Sequence, residues 1–353
     1  MTPKSMLQAA FGLKPQRYPI WFMRQAGRYL PEYREVRSKV DFVTLCRTPQ
    51  LTAEVTLQPL RRYDLDAAII FSDILIPCTA MGQTLTFDKG EGPVLTPPIR
   101  CAQDLLKLKV PNVERDLGYV GEGILQTKKS LHQNQTMIGF AGAPFTVASY
   151  MIEGCGSKTF SEVKKMLLKE KQAFQQLLAI ITETTVQYLL MQVRAGADIV
   201  MLFDTWAGQL TSADYRTFVF PCVQEIAQKI RSRGIPFIYF PGQGADRLFD
   251  LRGLETDVLS IDWRMGLVQA ARVLADQKLA VTLQGNLDPQ YLITEAQDLE
   301  SKVEMVLGEA QKARILGMKS HIFNVGHGLL PHTPPEALNI IIQKIRDCEK
   351  YFL

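Results

Sequence analysis

Eight short runs rich in apolar, β-branched or aromatic residues recur along the chain: 18–23, 67–71, 136–140, 198–203, 236–240, 257–261, 280–284 and 321–325. Runs of this length with no polar alternation suit strands buried on both faces, as in parallel sheets. Segments of helical period separate them, and no Ser-, Gly- or Pro-rich linker intervenes. Eight is the number of strands that closes a (β/α)8 barrel. An open doubly wound sheet is the competing arrangement, but no G-x-G-x-x-G follows any run. The nearest segment, 242–247, fails the spacing. The expected fold is therefore α/β, a single-domain (β/α)8 TIM barrel over residues 1–353, with its site at the C-terminal ends of the strands.

Helix punctuation agrees with that reading. Thr48-Pro49 reads as a cap followed by proline in the first turn, and Ser212 as the cap of a helix that ends at Gly234. Thr333 with Glu336 reads as a capping box with Pro334 in the first turn. The run 160–195 predicts one or two helices with a break near 169–171.

Residues just past the runs are the candidates for chemistry. Arg24 and Arg28 stand four apart around Gln25, Ala26 and Gly27. On one helical turn their planar forks would share a face suited to a carboxylate or phosphate, and Gly27 would let a ligand approach the backbone. Pairing with Glu32 and Glu35 is the plainer alternative. Asp73 follows 67–72, where a carboxylate would enter the barrel mouth or cap the next helix. His327, in a Gly-His-Gly turn, reads as a ligand contact or a polar turn residue. Tyr150 reads more simply as core, and Thr205 is ambiguous. The strand ends also carry Asp204-Thr205-Trp206 and Asp262-Trp263-Arg264.

Charge separates the possible ligand classes. The chain totals +4, too little for a nucleic-acid surface. Residues 1–50 hold nine Lys/Arg against three acids, a net of +6, which leaves −2 for the rest. Either a solvated basic face or a polyanionic small molecule accounts for that excess. The four histidines form no H-x-C or H-E-x-x-H pattern. No Walker loop, nucleophile elbow or strand-end lysine is present. The six cysteines, with no C-x-x-C pair, predict free thiols in a reducing cytoplasm. No apolar stretch is long enough to span a membrane, and no signal peptide is expected. The residues alone point to a metal-free barrel enzyme for an anionic substrate.

Several segments together resemble the uroporphyrinogen decarboxylase family. PIWFMRQAGRYLPEYR (19–34) and GFAGAPFTVASYMIEG (139–154) match its two signatures. LQPLRRYDLDAAIIFSDIL (57–75), GEGP (90–93), QGNLDP (284–289) and FNVGHG (323–328) follow in the family's order. The resemblance implies decarboxylation of the four acetate side chains of uroporphyrinogen III to coproporphyrinogen III, with no metal or prosthetic group. It also implies a cytoplasmic homodimer in porphyrin (haem or chlorophyll) synthesis, with no nucleic-acid or membrane partner. It assigns catalysis to Asp73, Arg24, Arg28 and Tyr150. It assigns substrate binding to Arg24, Gln25, Ala26, Gly27, Arg28, Asp73, Tyr150, Thr205 and His327. Thr205 stands where many members carry serine, and 241–247 departs from the family's pattern. A corrinoid- or thiol-directed methyltransferase on a related barrel is the alternative, though this sequence has no H-x-C of the His/Cys zinc site such enzymes use.

Overall fold

The computed structural model describes residues 4–88, 92–242 and 245–352. Gly90 and Glu91 of the GEGP segment, and Gln243 and Gly244 of 241–247, lie outside them. Among the described residues nine strands form: β1 (Ala67–Ile69), β2 (Thr84–Asp88), β3 (Gly92–Thr96), β4 (Thr136–Gly142), β5 (Ile199–Phe203), β6 (Phe237–Phe240), β7 (Val258–Ser260), β8 (Thr282–Leu287) and β9 (His321–Val325). Seven of them pair in parallel, in the order β1-β4-β5-β6-β7-β8-β9, and curl into a barrel. Strands β4 to β9 are buried along their whole length. That two-sided burial is why they read as uninterrupted apolar runs.

The first expected strand, 18–23, departs from expectation. It makes one isolated parallel bridge, Ile20 with Phe323, yet it still occupies the gap between β9 and β1. On one side Phe323 N–H donates to the Pro19 carbonyl (2.9 Å), and Trp21 N–H donates to Phe323 (3.3 Å). On the other, Asp66 N–H donates to Ile20 (2.9 Å) while the Asp66 carboxylate takes Ile20 N–H (2.8 Å). Pro19 has no N–H to extend the ladder, and the Asp66 side chain takes the donor a neighbouring strand would have used. Asp66 is buried between Arg17 Nε and Arg346 Nη2, each at 2.8 Å. The closing seam is therefore held by charge-assisted bonds where a regular ladder is missing.

Helices cover the outside. Leu267–Asp276 buries Leu267, Ala270, Ala271 and Leu274, the i, i+3, i+4, i+7 stripe of a helix laid on a sheet. The run 160–195 is two helices, Ser161–Lys169 and Lys171–Arg194, broken at Glu170. Thr48 does cap Pro49–Arg62, although its hydroxyl donates to Thr44 instead of accepting from the helix. Two other caps are corrected. Thr211, not Ser212, accepts from Asp214 N–H (3.1 Å). The Thr333 hydroxyl accepts from Leu330 N–H (3.1 Å), and the helix begins at Pro335. The antiparallel hairpin β2–β3 was not expected. It stands apart from the barrel sheet. Among the described residues, no helix is long and apolar enough to cross a membrane.

Candidate active site

The loop after Met23 is positioned by its neighbours in the closed barrel. Met23 N–H donates to Asn324 Oδ1 (2.9 Å), and Leu329 N–H donates to the Met23 carbonyl (2.9 Å), so the loop is tied to the end of β9. Gln25 is fully buried. Its amide donates to Ala67 of β1 (2.9 Å) and accepts from Phe22 N–H (3.0 Å). Residues 24–30 form turns instead of the helical turn considered from the Arg24–Arg28 spacing, and the helix starts at Pro31. Arg24 takes φ +63°, a left-handed conformation that costs a non-glycine residue about 1 kcal/mol.

The two acids near the arginines are paired elsewhere. Glu32 pairs with Arg62 (3.0 Å) and Glu35 with Lys39 (2.8 Å). Among the described residues neither Arg24 nor Arg28 has a carboxylate within ion-pair distance. The two guanidinium groups stand close enough for the Arg28 charge to act on Arg24.

Asp73 follows β1, and its Oδ1 accepts from Leu75 N–H (2.8 Å), one residue ahead of the helix Ile76–Met81. Burial pushes its carboxyl pKa up, and only the Leu75 N–H and the Arg24 charge pull it back. Arg24 is shifted down, first by burial and then by Arg28, against the opposing pull of Asp73 and Tyr150. Tyr150 lies on Pro144–Glu153, its ring centroid 6.2 Å from that of Trp206. Burial raises its phenol, Asp73 raises it further, and Trp206 and Arg24 oppose the shift. His327 is pushed down to about 4, first by burial and then by the Arg24 charge, so its ring is neutral at physiological pH. Its Nδ1 accepts from Gly328 N–H (2.7 Å), which leaves the other ring nitrogen as a donor. Four of the sequence-derived residues, Arg28, Asp73, Tyr150 and His327, are thus coupled by charge to a fifth, Arg24. A carboxylate placed there can accept hydrogen bonds from N–H groups and stabilise a cation, while the arginines take anionic substituents.

The remaining candidates lie in two loops. Ala26 and Gly27 are half-buried in the arginine loop, and Thr205 is half-buried after β5. Gly242 (φ +81°) approaches the β5 end so closely that a Cβ on it would stand 2.7 Å from the Thr205 carbonyl.

Sequence reasoning missed what supports this wall. Asp204 is fully buried beneath it, accepting from Thr146 Oγ1 (2.8 Å) and from Tyr239 OH (2.9 Å), which in turn bonds Tyr215 OH (3.0 Å). Thr146 also accepts from Trp206 N–H (3.1 Å), one turn before Tyr150 on the same helix. Burial pushes the Asp204 carboxyl up to about 6, against the hydrogen bonds of Thr146 and Tyr239. Its position at a strand end was visible in the sequence; its partners, 58 and 35 residues away, were not.

The fold and the rim placement of these residues define a barrel enzyme of the (β/α)8 class. A methyltransferase from Methanosarcina mazei superposes with a TM-score of 0.78 over 99% of this chain and 98% of its own, at 20% identity. That identity speaks for the fold alone. The family model "Uroporphyrinogen decarboxylase (URO-D)" matches residues 1–348. A protein of Myxococcus xanthus (strain DK1622) named uroporphyrinogen decarboxylase is 42% identical over 340 residues, 96% of this chain and 95% of its own. One of the same name from Nocardia farcinica (strain IFM 10152) is 42% identical over 348 residues, 98% and 97% of the two chains. The chain belongs to the uroporphyrinogen decarboxylase family.

Proposed function

We propose that this chain is a carboxy-lyase that converts uroporphyrinogen III to coproporphyrinogen III and four CO2, in porphyrin synthesis. It works from a single barrel domain, as a cytoplasmic homodimer, without metal or prosthetic group. The observation that carries the reading is Asp73, a carboxylate just after β1 that accepts one backbone N–H, from Leu75 (2.8 Å), and feels the charge of Arg24. The substrate supplies its own electron sink. Protonation of a pyrrole carbon gives an iminium-like cation, and the bond from the acetate methylene to the carboxylate breaks, its electron pair neutralising that cation. The methylene carbon then takes a second proton as the ring carbon returns the first, so each acetate consumes one proton net and leaves a methyl group.

Asp73 accepts hydrogen bonds from the pyrrole N–H groups and stabilises the cation as it forms. Such a preorganised group contributes about 3–4 kcal/mol, so orientation must supply much of the remainder. Arg24 and Arg28 hold substrate carboxylates. Neutral His327 donates to the substrate, and Tyr150 lines the reacting acetate. Thr205 offers a hydroxyl, and Ala26 and Gly27 leave room beside the arginines. Gln25 keeps the loop docked on β1. The methyltransferase reading is weaker, since likeness at 20% identity carries no activity.

The test is an anaerobic assay with uroporphyrinogen III, EDTA and no added cofactor, with products oxidised and separated by carboxyl number. A ladder from eight carboxyls to four is expected. Tight binding without conversion would leave a binding protein in its place.

A further inference from the structure

The Asp262-Trp263-Arg264 segment follows β7 and has no part in the proposed chemistry. It adjoins the site: the Trp263 ring stands 6.4 Å from His327, edge to face, and Gly326 packs under it so tightly that a Cβ would lie 2.4 Å from Trp263 N. Arg264 is fixed from several directions. Its backbone N–H donates to Asp262 Oδ1 (2.9 Å), its Nη1 to Asp262 Oδ2 (2.6 Å), and its guanidinium carbon lies 4.2 Å from the Trp263 ring centroid. Asp262 is 3% exposed, whereas the Arg264 side chain keeps 44% of its surface.

A guanidinium has five N–H donors in a rigid fork. Neutralising Asp262 uses one of them, and among the described residues no other acceptor for Arg264 is found. The arginine is stacked and oriented in advance, with its entropy of ordering already spent, while part of its fork still faces outward. The charges of Arg24, Asp262 and Arg264 all act on His327. The octacarboxylate substrate carries more charge than Arg24 and Arg28 can neutralise.

We infer that Arg264 is a third carboxylate-binding arginine of this site, taking an acetate or propionate carboxylate of the tetrapyrrole at the β7 side of the mouth. The inference rests on the proposed activity, which supplies the polycarboxylate. Arg264 contacts a substituent remote from the reacting bond, so it governs capture and not the chemical step.

The test compares the full chain with Arg264→Gln and Arg264→Lys in the anaerobic assay. In parallel, binding of the stable oxidised octacarboxylate uroporphyrin III is followed by tryptophan fluorescence. Loss of one charge-assisted fork contact at a partly exposed site should raise KM and the porphyrin Kd by about tenfold, with kcat within about twofold. Lysine keeps the charge without the fork and should fall between. If both variants capture substrate as the parent does, or if only kcat or melting temperature drops, the inference is overturned and Arg264 serves Asp262 alone. Should Arg264→Gln not fold, Arg264→Lys decides by the same criterion. A parent that binds uroporphyrin without turnover overturns the proposed activity, and the binding comparison still tests Arg264.

Discussion

The side chain of Arg24 lies across the backbone of Gly328, so that a Cβ on the glycine would stand 2.3 Å from Arg24 Cδ and 2.7 Å from its Nε. Gly328 is needed for space. An alanine there meets the end of a flexible chain, which can move, and the arginine would leave its place over the cleft. Gly328→Ala should therefore raise KM at least fivefold with a melting temperature within about 3 °C of the parent. Gly326, two residues earlier, would push its Cβ to 2.4 Å from a backbone nitrogen that cannot swing aside. Gly326→Ala should instead cost roughly 2–3 kcal/mol of stability. Kinetics and denaturant unfolding of both variants separate the two cases.

Arg24 also holds a left-handed backbone at φ +63°. Glycine removes the strain and the guanidinium together, whereas alanine removes only the second. Arg24→Gly should unfold at higher denaturant than Arg24→Ala by roughly 1 kcal/mol, while both lose turnover and affinity. Arg28→Ala should raise KM with kcat little changed. Equal stability of the two Arg24 variants would show that the left-handed turn carries no strain.

Asp73→Asn keeps the shape and the acceptor for Leu75 N–H but loses the charge that answers a developing cation. Turnover should fall by about 10²–10³-fold with the fold intact. Stability should hold or rise, since a desolvated carboxylate has been removed. Single-turnover kinetics beside a thermal melt read both; unchanged kcat would remove Asp73 from the chemistry.

Asp204 gives a pH signature of definite sign. Its carboxyl is raised to about 6 from an ordinary value of 3.8, so the folded state binds the extra proton between those two pH values. The stability it contributes is full below the unfolded pKa and is lost as pH rises through 6. Asp204→Asn lacks this loss, so relative to the parent it should be more stable at pH 8 than at pH 5, by on the order of 1 kcal/mol. Denaturant unfolding at the two pH values measures the difference; a gap of the opposite sign would mean the carboxylate is the favoured form.

Much of the barrel was legible because strands buried on both faces leave unbroken apolar runs. The hairpin was not, since Thr84-Leu85-Thr86-Phe87 alternates and belongs to a separate two-stranded sheet. The one-residue error at Thr211 arose because two hydroxyl residues stand in succession, and only geometry shows which accepts from Asp214. At the site, Arg24, Arg28 and Asp73 could be singled out by type and place. The role of the Gln25 amide could not, because its partner Ala67 belongs to a different strand. The Asp204 network was hidden for the same reason. It is made by residues from separate barrel segments that meet only when the sheet curls.

The closing seam has a consequence for biogenesis. The arginine loop hangs from Met23, whose N–H partner Asn324 lies 301 positions later in the chain. On a ribosome the arginines emerge about 300 residues ahead of the strand that gives them their setting. Contacts of such separation form slowly. Until β9 arrives the Arg24 loop lacks the Asn324 anchor, and a product truncated before β9 would carry the charge for a polyanion without the strand that sets it.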